Sequence, residues 1–269
     1  MAIDLKRRGF ADRVIGVDNK PDHLKTAESE GIIDEAASLE EATGRSDLII
    51  LAMPVDSIKR ILPEVLNLAG ENGKVVTDTG STKGCITAIA DAHPHRDCFV
   101  AGHPMAGTEN SGPTAAISGL FDNKSAILCD TENSSAHALE VVKRMYRVLN
   151  MKVLKMRSAP HDVSAAYVSH ISHIASFALS LCVQDKEKNE KRVLSLAGGG
   201  FSSTVRLAAS AASTWTPIFE ENSVPVLEAL DAYIEQLLSF REYISAANKD
   251  EINGKINQAN KIMSIINRQ

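Results

Sequence analysis

The stretch KVVTDTGSTKG, residues 74–84, decides the fold. A short apolar run from Lys74 to Asp78 has the length of a buried strand, and a polar loop carrying Gly80 follows it at once. The pattern recurs in CFVAGHPMAGTE, residues 98–109, where a strand-like run ending at Gly102 passes into His103-Pro104 and a second glycine-bearing loop. In open α/β sheets ligands bind beyond the carboxyl ends of the strands, where glycine lets backbone approach closely. Both loops are therefore candidate sites. The plainer reading has Ser81 capping a helix and His103 as an ordinary loop histidine.

Outward from this pair, strand-like runs cover Val14 to Asp18, Asp47 to Met53, Ser125 to Asp130 and Met151 to Met156. Helical patterns lie between several of them, such as Ser57 to Ala69 with Ile58, Ile61, Leu62, Val65 and Leu66 at the 3.6-residue period. The alternation predicts an α/β domain with a largely parallel sheet. Beyond Arg157 helices are expected over Asp162 to Gln184, Lys188 to Ala197, Ser223 to Ala247 and Asp250 to Asn267. Leu227, Leu230, Ile234, Leu237, Leu238 and Ile244 form one apolar stripe, and Ile252, Ile256, Met263 and Ile266 another. The expected division is residues 1–157 for the α/β part and 158–269 for the helical part.

The 269 residues, 44% hydrophobic and 23% charged with a net charge of −5, describe a globular chain with no electrostatic reason to bind nucleic acid. An anionic substrate needs a local basic site. Cys85, Cys98, Cys129 and Cys182 form no CxxC pair, and buried thiols in a reducing compartment are expected of them. No apolar run is read as approaching the ~20 residues of a membrane span. A cytoplasmic location with no membrane partner is expected.

Two further clusters stand out. His161-Asp162 precedes Ser169-His170-Ile171-Ser172-His173, where His170 and His173 share a helical face. These imidazoles could polarise a substrate, cap a surface or, with His161 or Asp162 as third ligand, hold a metal as in a hydrolase; the structural reading is preferred. Gly198-Gly199-Gly200 leads to Arg206 and Trp215 but fits neither GxGxxG nor a Walker A pattern. The glycines are read as ending a helix, and Arg206 as able to hold a carboxylate by two hydrogen bonds.

The order DTGSTKG, GHPMAGTE, HDVSAAYVSHISH, GGGFSSTVR and Trp-Thr-Pro-Ile-Phe resembles the prephenate dehydrogenase family of tyrosine biosynthesis over nearly the whole chain. The resemblance implies a Rossmann-type NAD domain followed by an all-α domain that forms a homodimer, and oxidative decarboxylation of prephenate, or of arogenate, with no metal. It implies His103 as the base and Ser81 as the residue orienting that histidine and the nicotinamide. His173, Arg206, Thr108, Glu109 and Gly199 become the substrate contacts. Asp18 becomes the ribose acceptor that favours NAD, and Ala52, Met53 and Pro54 the cofactor-facing turn. Ser202-Ser203 stand where many members carry charged residues, so inhibitor response is not carried over.

The family's first strand and GxGxxG loop precede the helix that here starts at Met1. The expectation is a nucleotide-binding domain lacking both, from a chain truncated at its beginning. A gap in the sheet must then be closed by neighbouring strands or filled by water or another segment. A non-catalytic dimer that binds substrate without turnover is the competing reading.

Overall fold

The computed structural model describes residues 1–108 and 110–266. Its first compact unit, Met1–Ser223, is built on a five-stranded sheet in the order β3-β4-β5-β6-β7, namely Leu48–Leu51, Val75–Asp78, Phe99–Pro104, Ser125–Cys129 and Lys152–Met156. β3, β4 and β5 are parallel, β6 runs antiparallel to β5 with Ala101 opposite Cys129, and β7 is parallel to β6. Every residue of β4 and β5 is buried, as expected of central strands covered on both faces.

One face is covered by Val55–Gly70 and Gly84–Asp91. The first presents Ile58, Leu62, Val65, Leu66 and Ala69, all fully buried, in a stripe of the spacing read from the sequence. The other face takes Leu5 of the helix Ala2–Arg7 together with Ala138, Val142, Met145 and Tyr146 of Ala136–Val148. A Rossmann-type α/β layer results, with its apolar interior on both sides of the sheet.

A separate two-stranded parallel sheet pairs β1, Ile15–Gly16, with β2, Glu35–Ala36. β1 and β3 are not bonded to each other, so the sheet does not close between them. Ile15, Gly16 and Val17 on one side and Leu48 and Ile50 on the other line a common cleft.

The helical half differs from expectation in three places. A continuous helix runs through Ser158–Asn189, with a π-helical turn at Ala166–His170. By length and composition it is apolar enough to cross a membrane, which corrects the reading that no run approaches that size. It is nevertheless studded with His161, Asp162, His170 and Ser176, all buried, and a segment facing lipid does not bury polar groups inward without a pore or partner. Lys188–Ala197 is not one helix: Lys188 and Asn189 end the preceding one, and only a 3-10 turn, Leu194–Leu196, follows. The Glu187 carboxylate accepts the backbone N–H groups of Arg192 and Leu194, and Arg192 takes a φ of 101°, so the chain folds back after Asn189. The glycine run opens a helix rather than ending one: Gly198 is the N-cap of Gly199–Val205. Asn267, read as the last helical residue, lies outside the described residues.

The second unit, beginning at Val224, holds most of the helix Ser223–Ser245 and the helix Lys249–Ile266. Leu227, Ile234, Leu237, Leu238 and Ile244 on the first and Ile256, Met263 and Ile266 on the second are exposed, so both predicted stripes are open.

Candidate active site

Residues just past the ends of four strands meet at one cleft of about 1290 Å³: Val17 after β1, Ala52 after β3, Thr79 and Ser81 after β4, and His103 near the end of β5. Thr108, His173, Arg206 and Trp215 continue the wall. The two loops that opened the sequence reading therefore converge on one space, as do the SHxxH and GGGF segments.

Beneath this wall lies a buried ion pair. Lys83 and Asp78 are both fully buried, and the ammonium bonds the Asp78 carboxylate and, at 2.8 Å, the carbonyl of Gly102. Asp78 also accepts the N–H of Gly80 at 2.9 Å and of Gly102 at 3.0 Å. The carboxylate and the ammonium thus tie the loop after β4 to the residue preceding His103. Glycine is needed at 102, because a Cβ there would lie 2.7 Å from the Tyr146 hydroxyl and 2.8 Å from the Asp78 carbonyl.

The His103 ring is 8% exposed, and its Nδ1 lies 2.8 Å from Nε2 of His161. Burial, then the nearby His161, Lys83 and His170, hold its pKa well below the ordinary histidine value. The imidazole is therefore neutral at neutral pH. Among the described residues its Nε2 has no hydrogen-bond partner, and it is not among the fully buried unpaired atoms. With Nδ1 turned to His161, Nε2 is the ring nitrogen left for the cleft that His103 lines.

His161 is in turn bonded to Asp162, whose carboxyl is pushed up by burial but pulled below its usual range by hydrogen bonds from His161 and the amides of Lys83 and Gly84. His173 stacks on Trp215 with ring centroids 3.4 Å apart, and His170 meets the same indole edge-on at 5.9 Å. Burial lowers the pKa of His173 and takes that of His170 down to about 4. Of the three histidines weighed as metal ligands, His161 is engaged by Asp162 and His103 while His170 and His173 share Trp215, and no group of three His, Cys, Asp or Glu side chains among the described residues could hold a metal.

Ser81 faces the cleft with no side-chain hydrogen bond among the described residues, and the ring of His103 is held by His161. Gly199 is exposed in the first turn of its helix and away from the cleft wall. Asp18, two residues beyond β1, is exposed, accepts the N–H of Lys20 and faces His23 Nδ1 at 3.2 Å. Met53 packs on the core and Pro54 is the N-cap of Val55–Gly70. Glu109 lies outside the described residues. Sequence reasoning missed the pairing of His161 with His103 and the stacking of Trp215 on His173. The first joins residues 58 positions apart, and no local pattern announces it.

A largely parallel sheet, a cleft beyond its strand ends and a neutral imidazole exposed toward that cleft define a nucleotide-binding α/β protein equipped to take up a proton. The chain belongs to the prephenate dehydrogenase family: residues 1–155 match the family's nucleotide-binding domain and residues 157–258 its dimerization domain. It is 30% identical over 254 residues to the prephenate dehydrogenase of Bacillus subtilis, covering 94% of this chain and 68% of that one. Among solved structures it resembles prephenate dehydrogenase from A. aeolicus in complex with hydroxyphenyl propionate and NAD+, with a TM-score of 0.85 at 29% identity over 98% of this chain and 93% of that one. It also resembles Synechocystis arogenate dehydrogenase, with a TM-score of 0.75 at 27% identity over 98% and 94% of the two chains.

Proposed function

We propose that the protein carries out the NAD-dependent oxidative decarboxylation of prephenate to 4-hydroxyphenylpyruvate. The observation that carries this reading is the His103 imidazole, neutral and with Nε2 accessible, on a cleft shared with Arg206 and His173. Family membership supports the reaction class, and the Bacillus and A. aeolicus relatives support the substrate. Arogenate is the second reading, favoured by the Synechocystis relative. Comparing kcat/KM for the two substrates decides between them.

A dinucleotide fits the residues present, since the cleft lies where strand ends leave backbone and small side chains open. Ala52 and Ser81 on the cleft wall, the backbone of Met53 and Pro54 beside them, and Asp18 beyond β1 would hold it. When bound, NAD supplies the hydride acceptor. His103 accepts a hydrogen bond from the ring hydroxyl of the substrate and takes its proton at Nε2 as the carbonyl forms. Breaking the bond to the ring carboxylate releases carbon dioxide, and its electron pair completes the aromatic ring. This last step asks little of the protein beyond binding.

Binding a dianion with a net-negative protein needs a concentrated donor set. Arg206 on the cleft wall is the carboxylate partner in this reading, with His173, Thr108 and Glu109 completing the substrate contacts; Gly199, away from that wall, is left out of the set. Arg206→Ala is expected to raise KM about 10- to 100-fold, the worth of a charge-assisted hydrogen bond, while kcat falls less than about threefold. Steady-state kinetics with prephenate as the varied substrate check this. An unchanged KM would remove Arg206 from the site.

The reading includes a cytoplasmic homodimer. Its four cysteines are free thiols, and the exposed stripes along Ser223–Ser245 and Lys249–Ile266 are the surface a second copy would cover. Light scattering at micromolar concentration is expected to give twice the chain mass, with Leu237→Glu shifting the protein toward monomer. A wild-type monomer would contradict the assignment.

A further inference from the structure

The hydrogen bonds behind His103 determine which of its nitrogens carries the proton. Asp162 accepts three hydrogen bonds: Oδ1 lies 2.7 Å from the backbone N of Lys83 and 2.8 Å from His161 Nδ1, and Oδ2 lies 2.7 Å from the backbone N of Gly84. An ionised carboxylate has no proton to give, so His161 donates from Nδ1. In a neutral ring the lone pair then sits on Nε2. That atom, 2.8 Å from His103 Nδ1, can only accept, so His103 carries its proton on Nδ1 and its lone pair on Nε2.

Two features favour a neutral His161. The ring is 2% exposed, where a charge is costly. The negative charge of Asp162 is already met by two amide N–H groups at the start of the helix Gly84–Asp91, so it does not require an imidazolium. The other ionisable groups acting on His103 are Lys83, already paired with Asp78, and His170.

The far side of the chain is fixed as well. The Asn222 side-chain nitrogen donates to the Asp162 carbonyl at 2.8 Å, which identifies it as the NH₂ group, and lies 3.2 Å from His170 Nδ1. His170 therefore accepts there and carries its proton on Nε2, an atom buried without a hydrogen-bond partner among the described residues. The close approach of Asp162 to the helix start also needs Gly84, where a Cβ would lie 2.9 Å from Oδ2.

We propose that His161 and Asp162 are positioning residues that hold His103 in its Nδ1–H tautomer, so that Nε2 is the proton acceptor facing the cleft. The proposal rests on the reading of His103 as the base. On taking the substrate proton at Nε2, His103 becomes an imidazolium that still donates from Nδ1 to His161. The proton stays on His103, and the Asp162 carboxylate stabilises the charge through the intervening ring.

The test is long-range proton–nitrogen NMR of the substrate-free protein labelled with ¹⁵N-histidine at pH 7.5. His103 and His161 are both expected to show a protonated Nδ1 and a bare Nε2. A protonated Nε2 on His103, or a doubly protonated His161, would overturn the proposal. His161→Phe removes the acceptor and is expected to move His103 to the Nε2–H form and lower kcat about 10²-fold with KM within threefold. His161→Gln retains an oxygen that can accept from Nδ1–H and is expected to restore the tautomer and most of kcat. Equal losses in both variants that track thermal stability would mean a merely structural role. The spectra need no substrate, so the predicted tautomer in a protein without turnover would overturn the reaction and spare the positioning. The opposite tautomer in an active protein would do the reverse.

Discussion

Replacing His103 with asparagine is expected to lower kcat about 10³-fold, because general-base catalysis contributes roughly 10² to 10⁴. Asparagine keeps a polar group near His161 but offers no basic nitrogen to the cleft. Substrate affinity, carried by Arg206 and the surrounding wall, is expected to change little. The pH profile of the wild type should agree. Since burial above all, and the Lys83 ammonium nearby, hold the pKa of His103 well below its ordinary value, the base remains deprotonated on mild acidification. The acid limb of kcat/KM is then expected well below pH 6.5, and an acid limb at or above that value would exclude His103 as the titrating base. Rapid-reaction kinetics with saturating prephenate and NAD separate the chemical step from product release.

The second large effect is on stability. Lys83→Met is expected to destabilise the protein by about 3 to 5 kcal/mol, since removing one partner leaves the fully buried Asp78 carboxylate uncompensated. The lost ammonium also releases the Gly102 carbonyl. Denaturant unfolding monitored by circular dichroism measures the change. Replacing both partners, as in Lys83→Met with Asp78→Leu, should recover part of the loss if the charge is the cause, although Gly80 and Gly102 would lose an acceptor. A loss below about 1 kcal/mol in the single variant would show that the pair does not hold the loop.

Much of this site is legible in the sequence because its chemistry is grouped into short loops after strands. Lys74–Asp78 and Cys98–Gly102 were readable as strands from their apolar runs, and the loops after them had to fall at the same sheet end. The stripe of Val55–Gly70 follows from periodicity alone. Other features depend on single side chains. The helix starting at Ser158 ends at Asn189 because Glu187 captures backbone amides beyond it, which hydrophobic pattern does not encode. Gly198–Gly200 looks the same at either end of a helix until the backbone is seen. His161 could be noticed as a histidine beside an aspartate, yet its partner is 58 residues away, and only the packing of Ser158–Ala165 against the loop after β4 brings the two rings together.

The central claim is that this cleft couples proton removal by His103 to oxidation of a ring hydroxyl and loss of a carboxylate. Its most direct test is product stoichiometry when the protein is mixed with prephenate and NAD. Equal amounts of NADH, carbon dioxide and 4-hydroxyphenylpyruvate, with His103→Asn reducing all three together, are predicted. Product formation that His103→Asn leaves unchanged, or carbon dioxide released without NADH, would contradict the account.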